Sequence, residues 1–316
     1  MQYVTHRLPA PAEENILIIR LGALGDFVQS FGPFQAIREA HPQAHITLLT
    51  TKPFVAFASP APWFDAVLTD ERPRWSNLKG MMQLRRQLRG YDRIYDLQTS
   101  GRTARYFYLA GQRHWSGHVP AGTFFHANPW RNDMHTVPRQ RDQLRMAGIA
   151  DVPLPDISWL QGMKDPARQA PYALIVPGAS PHRPEKRWPA ASYGELARHL
   201  VRTGITPVVV GAGADKALAA EICALCSQAE DYTGRTTLAE LAVLAEHACL
   251  AVGNDTGPIH LAAMMGCECI VLYSAHSSPA LTMPLGRRNG QVQVLSEPDL
   301  ARLSVGRVAE ALMSRH

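Results

Sequence analysis

Short apolar runs alternate along this chain with longer stretches in which apolar residues recur at helical spacing. The first run, residues 15–20, is almost entirely apolar, which is typical of a strand buried on both faces of a parallel sheet. The same pattern predicts strands at residues 45–50, 93–97, 172–176, 207–210, 249–252 and 269–273, and helices at residues 27–40, 192–203, 215–226, 237–248 and 257–265. Strands joined through helices in this order predict right-handed βαβ units and therefore an α/β fold.

A proline-rich stretch divides this alternation into two series. Its four prolines, which can neither continue a helix nor lie inside a sheet, are Pro153, Pro155, Pro166 and Pro171. We therefore predict two Rossmann-like domains facing across a cleft, at residues 1–155 and 172–316, joined by a linker at 156–171. The last helix is a candidate to pack back on the N-terminal domain. Ligands of such sheets bind beyond the carboxyl ends of the strands, so the loops there are the candidate site.

The composition is that of a globular protein, with 46% hydrophobic and 19% charged residues among 316. This apolar content excludes a disordered or coiled-coil chain, because enough apolar surface is present to offset the entropy lost on folding. The sequence has no run near the ~20 apolar residues that a membrane-spanning helix needs. The opening residues lack the apolar core of a signal peptide, so we expect a cytoplasmic protein.

The cysteines carry little functional information. They are Cys223, Cys226, Cys249, Cys267 and Cys269. A zinc site built on the first pair would need two further ligands at matched spacing, which the later cysteines do not offer. We interpret all five as small thiols in the core and predict neither a metal nor a disulfide.

The charge is distributed unevenly. Residues 1–170 carry 20 Lys and Arg against 14 Asp and Glu, whereas residues 171–316 carry 12 against 13. The excess comes from Arg72, Arg74, Lys79, Arg85, Arg86, Arg89, Arg93, Arg102, Arg105 and Arg113, opposed there by Asp92 and Asp96. A positive field attracts nucleic acid, an acidic membrane surface or a phosphorylated substrate, although a solvated helix face is an equally good interpretation.

The loop after the first strand contains Gly22, Gly25 and Asp26. Glycine lets the backbone approach a ligand closely, and amides at a helix start favour negative charge. The spacing is not the dinucleotide fingerprint, which has three glycines and a later acidic residue. On a purely structural interpretation, Asp26 is an acidic residue placed in the first helical turn by the helix dipole.

A second loop follows the predicted strand at residues 172–176 and ends in a basic and aromatic cluster. Lys186 can place its ammonium on a phosphate, and Ser180 offers a hydroxyl donor. Surface charge is the structural alternative for Lys186 and Arg187. Trp188 is interpreted as the residue that anchors the entry to the next helix.

Two further loops combine glycine with polar residues at a helix start. In the first, the amides of Thr256 and Gly257 and the Thr256 hydroxyl can form an anion cradle, while Asp255 or Thr256 caps the helix. In the second, Asp215 can accept a hydrogen bond from a ribose hydroxyl, but a helix cap is the better interpretation. The sequence has no P-loop, no G-x-S-x-G elbow and no Asp-x-Asp pair that would hold a metal on a pyrophosphate.

Taken in order, these loops resemble those of glycosyltransferase family 9, the bacterial lipopolysaccharide heptosyltransferases. The resemblance is carried by residues 18–26 (IIRLGALGD), 176–180 (VPGAS), 186–189 (KRWP) and 254–263 (NDTGPIHLAA), with a softer match at 135–148. It implies a GT-B fold with an N-terminal acceptor domain and a C-terminal nucleotide-sugar domain. It also implies metal-independent, inverting transfer of heptose from ADP-heptose to the lipid A–inner core, at the cytoplasmic membrane face.

The resemblance also implies roles for single residues. Asp26 matches the catalytic carboxylate, Lys186 the lysine on the diphosphate, and Asp255, Thr256 and Gly257 the donor-binding turn. Ser180 and His260 lie in the same motifs and are assigned to the donor, and Gly22 and Gly25 to the phosphate loop. The arginine-rich region would attract acceptor phosphates or Kdo carboxylates and the anionic bilayer. We expect a monomer that uses no cofactor, no metal and no nucleic acid.

Three alternatives stay open at this point. A GT-B enzyme of other donor or acceptor specificity, or a nucleotide-sugar epimerase, would share the fold. A non-catalytic protein that binds nucleotides or nucleic acid would use the basic half. Histidines at 114, 118, 126 and 135, together with His260, lack the spacing of metal ligands, so the segment 114–135 is interpreted as a solvated loop or a stacking surface.

Overall fold

The computed structural model of the protein describes residues 14–161, 171–179 and 183–313. The strands in it are β1 (Asn15–Ile19), β2 (His45–Thr50), β3 (Ala66–Thr69), β4 (Arg93–Asp96), β5 (Trp115–Gly117), β6 (Phe124–Phe125), β7 (Tyr172–Val176), β8 (Thr206–Val209), β9 (Glu230–Asp231), β10 (Leu250–Asn254), β11 (Cys269–Tyr273) and β12 (Val292–Ser296). They form two six-stranded sheets, ordered β3-β2-β1-β4-β5-β6 and β12-β11-β10-β7-β8-β9. Neighbouring strands are parallel throughout, which confirms the predicted α/β class.

Helices connect most of the successive strands, as is usual for parallel sheets, whereas β5 leads to β6 without a helix. They are α1 (Leu24–Val28), α2 (Phe31–Ala40), α3 (Lys52–Ala58), α4 (Leu78–Gln87), α5 (Gly101–Ala110), α6 (Thr136–Met146), α7 (Ala190–Arg202), α8 (Lys216–Leu225), α9 (Leu238–His247), α10 (Gly257–Met264), α11 (Pro279–Thr282) and α12 (Val305–Met313). The central strands β1, β7, β10 and β11 are buried over almost their whole length, which explains their nearly continuous apolar sequence.

By their contacts, the residues fall into two compact units. Unit 1 comprises residues 1–21, 33–127 and 141–153, and unit 2 comprises residues 22–32, 128–140 and 154–316. The predicted domains were continuous in sequence and stay a prediction, whereas by contacts two N-terminal segments group with the C-terminal sheet. The described part of α12 packs against α7 within unit 2, and its packing on the N-terminal domain stays a prediction.

The one helix predicted at residues 27–40 is two helices, α1 and α2. Pro33 would lie in the interior of a helix that began near residue 24, where its ring would clash with the preceding turn. A restart at Phe31 places Pro33 in the first turn, where no N–H is needed. The Ser30 hydroxyl donates to the Asp26 carbonyl at 2.8 Å at the end of α1. The short helix that carries Asp26 is therefore a separate element of unit 2.

Candidate active site

The candidate site is built at the carboxyl ends of β7, β10 and β11 in unit 2. Asn254 ends β10 and is fully buried. Its amide nitrogen donates to the carbonyls of Pro177 (2.8 Å) and Gly178 (3.2 Å), and its Oδ1 accepts from the Trp188 backbone amide (3.0 Å). One amide side chain thus fastens the loop after β7 to the end of β10. The sequence motif at 254–263 contains Asn254, but the sequence did not indicate this role for it.

Trp188 anchors the entry to α7, as predicted. Its side chain is 1% exposed, and its Nε1 donates to the Leu303 carbonyl at 2.9 Å. The ring packs edge-on against Tyr193 at 4.8 Å between centroids. This fixed ring holds the end of the loop that carries Lys186.

The Asp255 carboxylate is the centre of the site. Its Oδ2 lies 3.2 Å from Lys186 Nζ and 3.4 Å from the Thr282 hydroxyl, and its Oδ1 lies 3.5 Å from His260 Nε2. The Tyr273 hydroxyl donates to Oδ1 at 3.2 Å. The side chains of Asp255 and Lys186 are only 7% and 14% exposed. Lys186 is therefore a largely buried partner of Asp255, and the interpretation of Lys186 as surface charge is wrong.

Electrostatics keep the Asp255 carboxylate ionised. Burial favours its neutral form, but the hydrogen bond and charge of His260, together with the Lys186 ammonium, outweigh burial and hold the pKa of Asp255 below its usual range. Burial and the adjacent Asp255 charge raise the pKa of Tyr273, so its hydroxyl remains a donor. The site therefore contains the ionised Asp255 carboxylate with the Lys186 ammonium beside it.

The start of α10 carries two buried polar side-chain atoms that form no hydrogen bond within the described residues. Thr256 is the N-cap residue, but its side chain caps no amide of the helix. Within the described residues, the buried Thr256 Oγ1 and His260 Nδ1 have no hydrogen-bond partner. Buried polar groups in folded proteins are nearly always paired, so both atoms fit contacts to a bound ligand. The helix start adds free amides and positive potential, which suit an anion.

Helix α1 packs directly on α10, and glycines permit the contact. A Cβ on Gly257 would lie 2.5 Å from Leu24 Cβ, and a Cβ on Gly25 would lie 2.9 Å from His260 Cδ2. Gly22 has a φ of 120°, a conformation that residues with a side chain rarely adopt. The structure thus brings the helix of half-buried Asp26 alongside the helix of His260. The glycines of the first loop serve this approach.

Two residues to which the sequence assigned no role in the site complete it. Gln29 Nε2 donates to the Met283 and Thr282 carbonyls at 3.3 and 3.5 Å, and His135 Nε2 lies 2.8 Å from the Met283 carbonyl. Burial lowers the pKa of His135, and the positive charge of His260 adds to that effect, while the hydrogen bond to Met283 opposes it. Their only sequence signal is position, since both lie beside motifs that the pattern had identified.

Asp215 lies at the next loop of the same sheet and has a structural role there. Its Oδ2 accepts from the Ala212 amide at 2.9 Å, and its side chain does not cap α8. A Cβ on Gly178 or Gly211 would come within 2.7 or 2.8 Å of this carboxylate oxygen. The carboxylate therefore packs against the glycine backbones of two loops. Its contact with a ribose stays a prediction, and Ser180 lies outside the described residues.

In unit 1, part of the basic region lies on two helices: Lys79, Arg85 and Arg86 on α4, and Arg102 and Arg105 on α5. The guanidinium groups of Arg102 and Arg105 lie 5.2 and 5.0 Å from the ring centre of Trp75. Leu78, Met82 and Tyr108 are 76%, 58% and 73% exposed on the same two helices. Cations and apolar side chains are therefore interleaved on this surface, which we call the α4/α5 face.

Other predicted features have modest roles. All five cysteines are free thiols. In the segment 114–135, the His118 ring stacks on Phe125, in line with a stacking surface, and His126 Nε2 lies 2.9 Å from Asp142.

The described residues include no group of three His, Cys, Asp or Glu side chains that could hold a metal. Among the helices of the described ranges, none combines the length and apolar character needed to cross a bilayer.

The comparison with protein families decides the class of enzyme. The model of glycosyltransferase family 9 (heptosyltransferase) matches residues 81–311 of this chain. The chain belongs to glycosyltransferase family 9. This membership selects a glycosyltransferase over the epimerase and the nucleic-acid-binding protein that the sequence had left open. The matched range contains the loops of Lys186 and Asp255 but not the N-terminal loop of Asp26.

Curated relatives extend the similarity over nearly the whole chain. Lipopolysaccharide heptosyltransferase 2 of Salmonella typhimurium is 29% identical, covering 89% of this chain and 88% of that protein. The lipopolysaccharide core heptosyltransferase OpsX of Haemophilus influenzae is 25% identical, covering 90% and 86%. The solved structure of the Escherichia coli heptosyltransferase WaaC with ADP superposes with a TM-score of 0.77 at 20% identity, covering 96% of this chain and 100% of that one. The predicted GT-B fold is thereby confirmed.

Proposed function

We propose that this family 9 enzyme transfers a heptose from ADP-heptose to a lipopolysaccharide inner-core acceptor of the lipid A–Kdo type, with inversion at the anomeric carbon. The observation that carries the proposal is the Lys186–Asp255–His260 cluster at the start of α10, where the buried Thr256 hydroxyl has no partner in the described chain. A lysine, free amides and a hydroxyl suit a diphosphate. The curated relatives named above are heptosyltransferases, which supports the choice of sugar.

Asp26 is the proposed general base. Its carboxylate accepts the proton of the acceptor hydroxyl as that oxygen forms a bond to the anomeric carbon. The bond between the anomeric carbon and the diphosphate breaks on the opposite face, and ADP leaves with the electron pair. Helix α1 packs on α10 through Gly25 and Gly257, which supports placing Asp26 beside the donor site.

The negative charge that grows on the departing diphosphate needs fixed donors. Lys186 supplies an ammonium, and the amides of Thr256 and Gly257 supply the positive end of α10. We propose that these groups act without a metal ion. Because they are held by Asn254, Asp255 and the packing of α1 on α10, they need little rearrangement as the charge develops.

Nucleotide selectivity is the direct test of this site. A ligand that binds only the folded protein raises its melting temperature, so ADP is expected to stabilise the protein while UDP and GDP have little effect. Transfer from ADP-heptose to a Kdo-containing acceptor, measured with and without a chelator, tests the reaction and the metal independence together. Stabilisation by UDP rather than ADP, or activity abolished by the chelator and restored by a divalent ion, would contradict the proposal.

We further propose that the enzyme acts as a monomer on the cytoplasmic face of the inner membrane, bound peripherally through the α4/α5 face. Leu78 and Met82 lie one turn apart on α4, Arg85 lies about one turn further along the helix, and Arg89 follows its C-cap residue. Exposed apolar side chains among arginines are the pattern that binds an anionic bilayer surface. This face would bring the enzyme to a lipid-anchored acceptor.

Vesicle binding tests the membrane proposal separately from the chemistry. We expect the protein to sediment with vesicles containing phosphatidylglycerol, less so as salt is raised, and not with phosphatidylcholine vesicles. Leu78→Glu combined with Met82→Glu should abolish sedimentation, whereas Leu285→Glu, at a residue 38% exposed in unit 2, should not. Equal loss in both variants would show that the α4/α5 face is not the binding surface. Sedimentation velocity without vesicles tests the monomer.

A further inference from the structure

A short segment of unit 2, residues 278–283, contacts the Asp255 carboxylate on one side. The segment contains α11 and ends at Met283. The Thr282 hydroxyl lies 3.4 Å from Asp255 Oδ2 and 3.5 Å from the Tyr273 hydroxyl. Tyr273 itself donates to the other carboxylate oxygen. A shift of this segment would therefore move Thr282 relative to the Asp255 carboxylate, which pairs with Lys186.

On its other side, the segment is held by its carbonyl oxygens. Gln29 donates to the Thr282 and Met283 carbonyls, His135 contacts the Met283 carbonyl, and the Thr136 hydroxyl lies 3.5 Å from the Leu281 carbonyl. The last carbonyls of a helix as short as α11 have no donors within the helix, and here side chains supply them. Gln29 and Thr136 are 6% and 4% exposed, so water does not readily replace them.

These contacts close a ring of packed elements. Gln29 is the C-cap residue of α1, three positions after Asp26, so it moves with the helix that carries the proposed base. From Gln29 the ring passes through segment 278–283 to Asp255, then through His260 and α10 back to α1. Segment 278–283 therefore connects the Asp255 carboxylate to the helix of Asp26. This connection is separate from the packing of α1 on α10 at Gly25 and Gly257.

We propose that Gln29 and His135 are positioning residues that set the distance between the proposed base and the donor-binding carboxylate by fixing segment 278–283. This inference rests on the proposed function. Neither residue is expected to touch the diphosphate, since their donor groups are used by backbone carbonyls. Misplacing a reacting group by a fraction of an ångström slows a reaction far more than it weakens binding of a separate part of the substrate.

The first experiment is a double-mutant cycle. Gln29→Met keeps the side-chain length but removes the donor, and Thr282→Val removes the hydroxyl while leaving the carbonyl that Gln29 contacts. We expect Gln29→Met to lower kcat about tenfold with ADP affinity changed by no more than about twofold. If one segment transmits both effects, the double variant is no slower than the slower single variant. Multiplication of the two losses would overturn the proposal.

The control is chemically matched. Gln291 is a buried glutamine of the same unit whose Nε2 also donates to two carbonyls, that of Ala263 near the end of α10 (2.7 Å) and that of Cys267 before β11 (2.8 Å). Gln291→Met should lower the melting temperature yet leave kcat unchanged below it. His135→Gln retains an amide donor and should keep kcat near wild type, whereas His135→Leu should lower it. Equal effects of both His135 variants, or a kcat loss in Gln291→Met as large as in Gln29→Met, would overturn the positioning role.

Hydrogen exchange separates this inference from the proposed function. Gln29→Met should speed amide exchange in residues 278–283 and also in the peptide containing Asp255, without any substrate present. Unchanged exchange around Asp255 would overturn the mechanical link. If the wild type transfers no sugar from ADP-heptose, the proposed reaction fails, while this exchange measurement still decides whether the ring couples the two elements.

Discussion

Lys186 Nζ and Asp255 Oδ2 lie 3.2 Å apart, although 69 residues separate them in the chain. The pair joins the loop after β7 to the loop after β10, and both partners are largely buried. A buried ion pair is a weak source of net stability, because desolvation opposes the attraction. Here the ion pair orients the Lys186 ammonium at the place where we propose that the diphosphate binds.

Lys186→Ala should weaken ADP binding and slow transfer. Losing a charge-assisted contact of about 1.5–3 kcal/mol corresponds to roughly a ten- to hundredfold loss of ADP affinity. Isothermal titration with ADP measures it. The control is Arg288→Ala, which removes an exposed pair with Glu268 and should change ADP affinity little. Wild-type ADP affinity in Lys186→Ala would remove the assigned role.

Asp26→Asn should slow transfer and leave ADP binding intact. A positioned general base contributes about 10²- to 10⁴-fold to a rate, and the amide cannot accept the proton. Single-turnover transfer and ADP affinity should be measured on the same preparation. Glu39→Gln, at an exposed carboxylate on α2, is the control and should behave as wild type. Turnover within a few-fold of wild type in Asp26→Asn would show that Asp26 is not the base.

Gly257→Ala should destabilise the protein and disturb the donor site together. The new methyl group would meet Leu24 Cβ at 2.5 Å, so α1 must move away from α10. Such overpacking costs about 1–3 kcal/mol in the free energy of unfolding. Gly306→Ala is the matched control: its Cβ would have no neighbour within 4 Å in α12, and it should gain about 0.5–1 kcal/mol. Urea unfolding and ADP titration of both variants check this; an unaffected Gly257→Ala would contradict the close packing.

Asp96 should make unit 1 less stable as pH rises. Burial raises the pKa of Asp96 to about 6, against hydrogen bonds from the Thr99 and Gln98 amides that lower it. The unfolded value is near 3.9, so the folded state binds the proton more tightly and stability falls between about pH 4 and pH 6. The loss is on the order of 2–3 kcal/mol, and Asp96→Asn should remove it.

A second aspartate, Asp65, should contribute a pH dependence of stability with the opposite sign, and Asp65→Asn should remove it. The Ile46 amide and Arg38 outweigh burial and lower the pKa of Asp65, so its contribution to stability is lost as pH falls. Urea midpoints of wild type, Asp96→Asn and Asp65→Asn between about pH 2 and pH 6 compare the two, because the Asp65 contribution is lost only below about pH 4. If Asp96→Asn keeps the wild-type decline above about pH 4, the raised pKa of Asp96 is wrong.

Much of the fold followed from the chain alone. The apolar runs placed the central strands within a residue or two, because strands covered on both faces admit few polar side chains. The edge strands β3, β6, β9 and β12 were missed because they are only partly buried, and the buried β5 was missed because it has only three residues. The break between α1 and α2 could have been anticipated from Pro33, because proline is tolerated in a first turn and not in a helix interior.

The candidate site, like the fold, was only partly predictable from the sequence. The loops after the buried strands drew attention to Asp26, Lys186 and Asp255, because ligands of parallel sheets bind there. The resemblance to the family supplied the role of Asp26 and added His260. Only the tertiary structure paired Lys186 with Asp255. It also recruited Gln29, His135 and Thr282, whose roles depend on contacts between segments far apart in the chain. A residue's pattern reports its local conformation and burial, whereas hydrogen-bond partners across a fold are set by packing that no local pattern encodes.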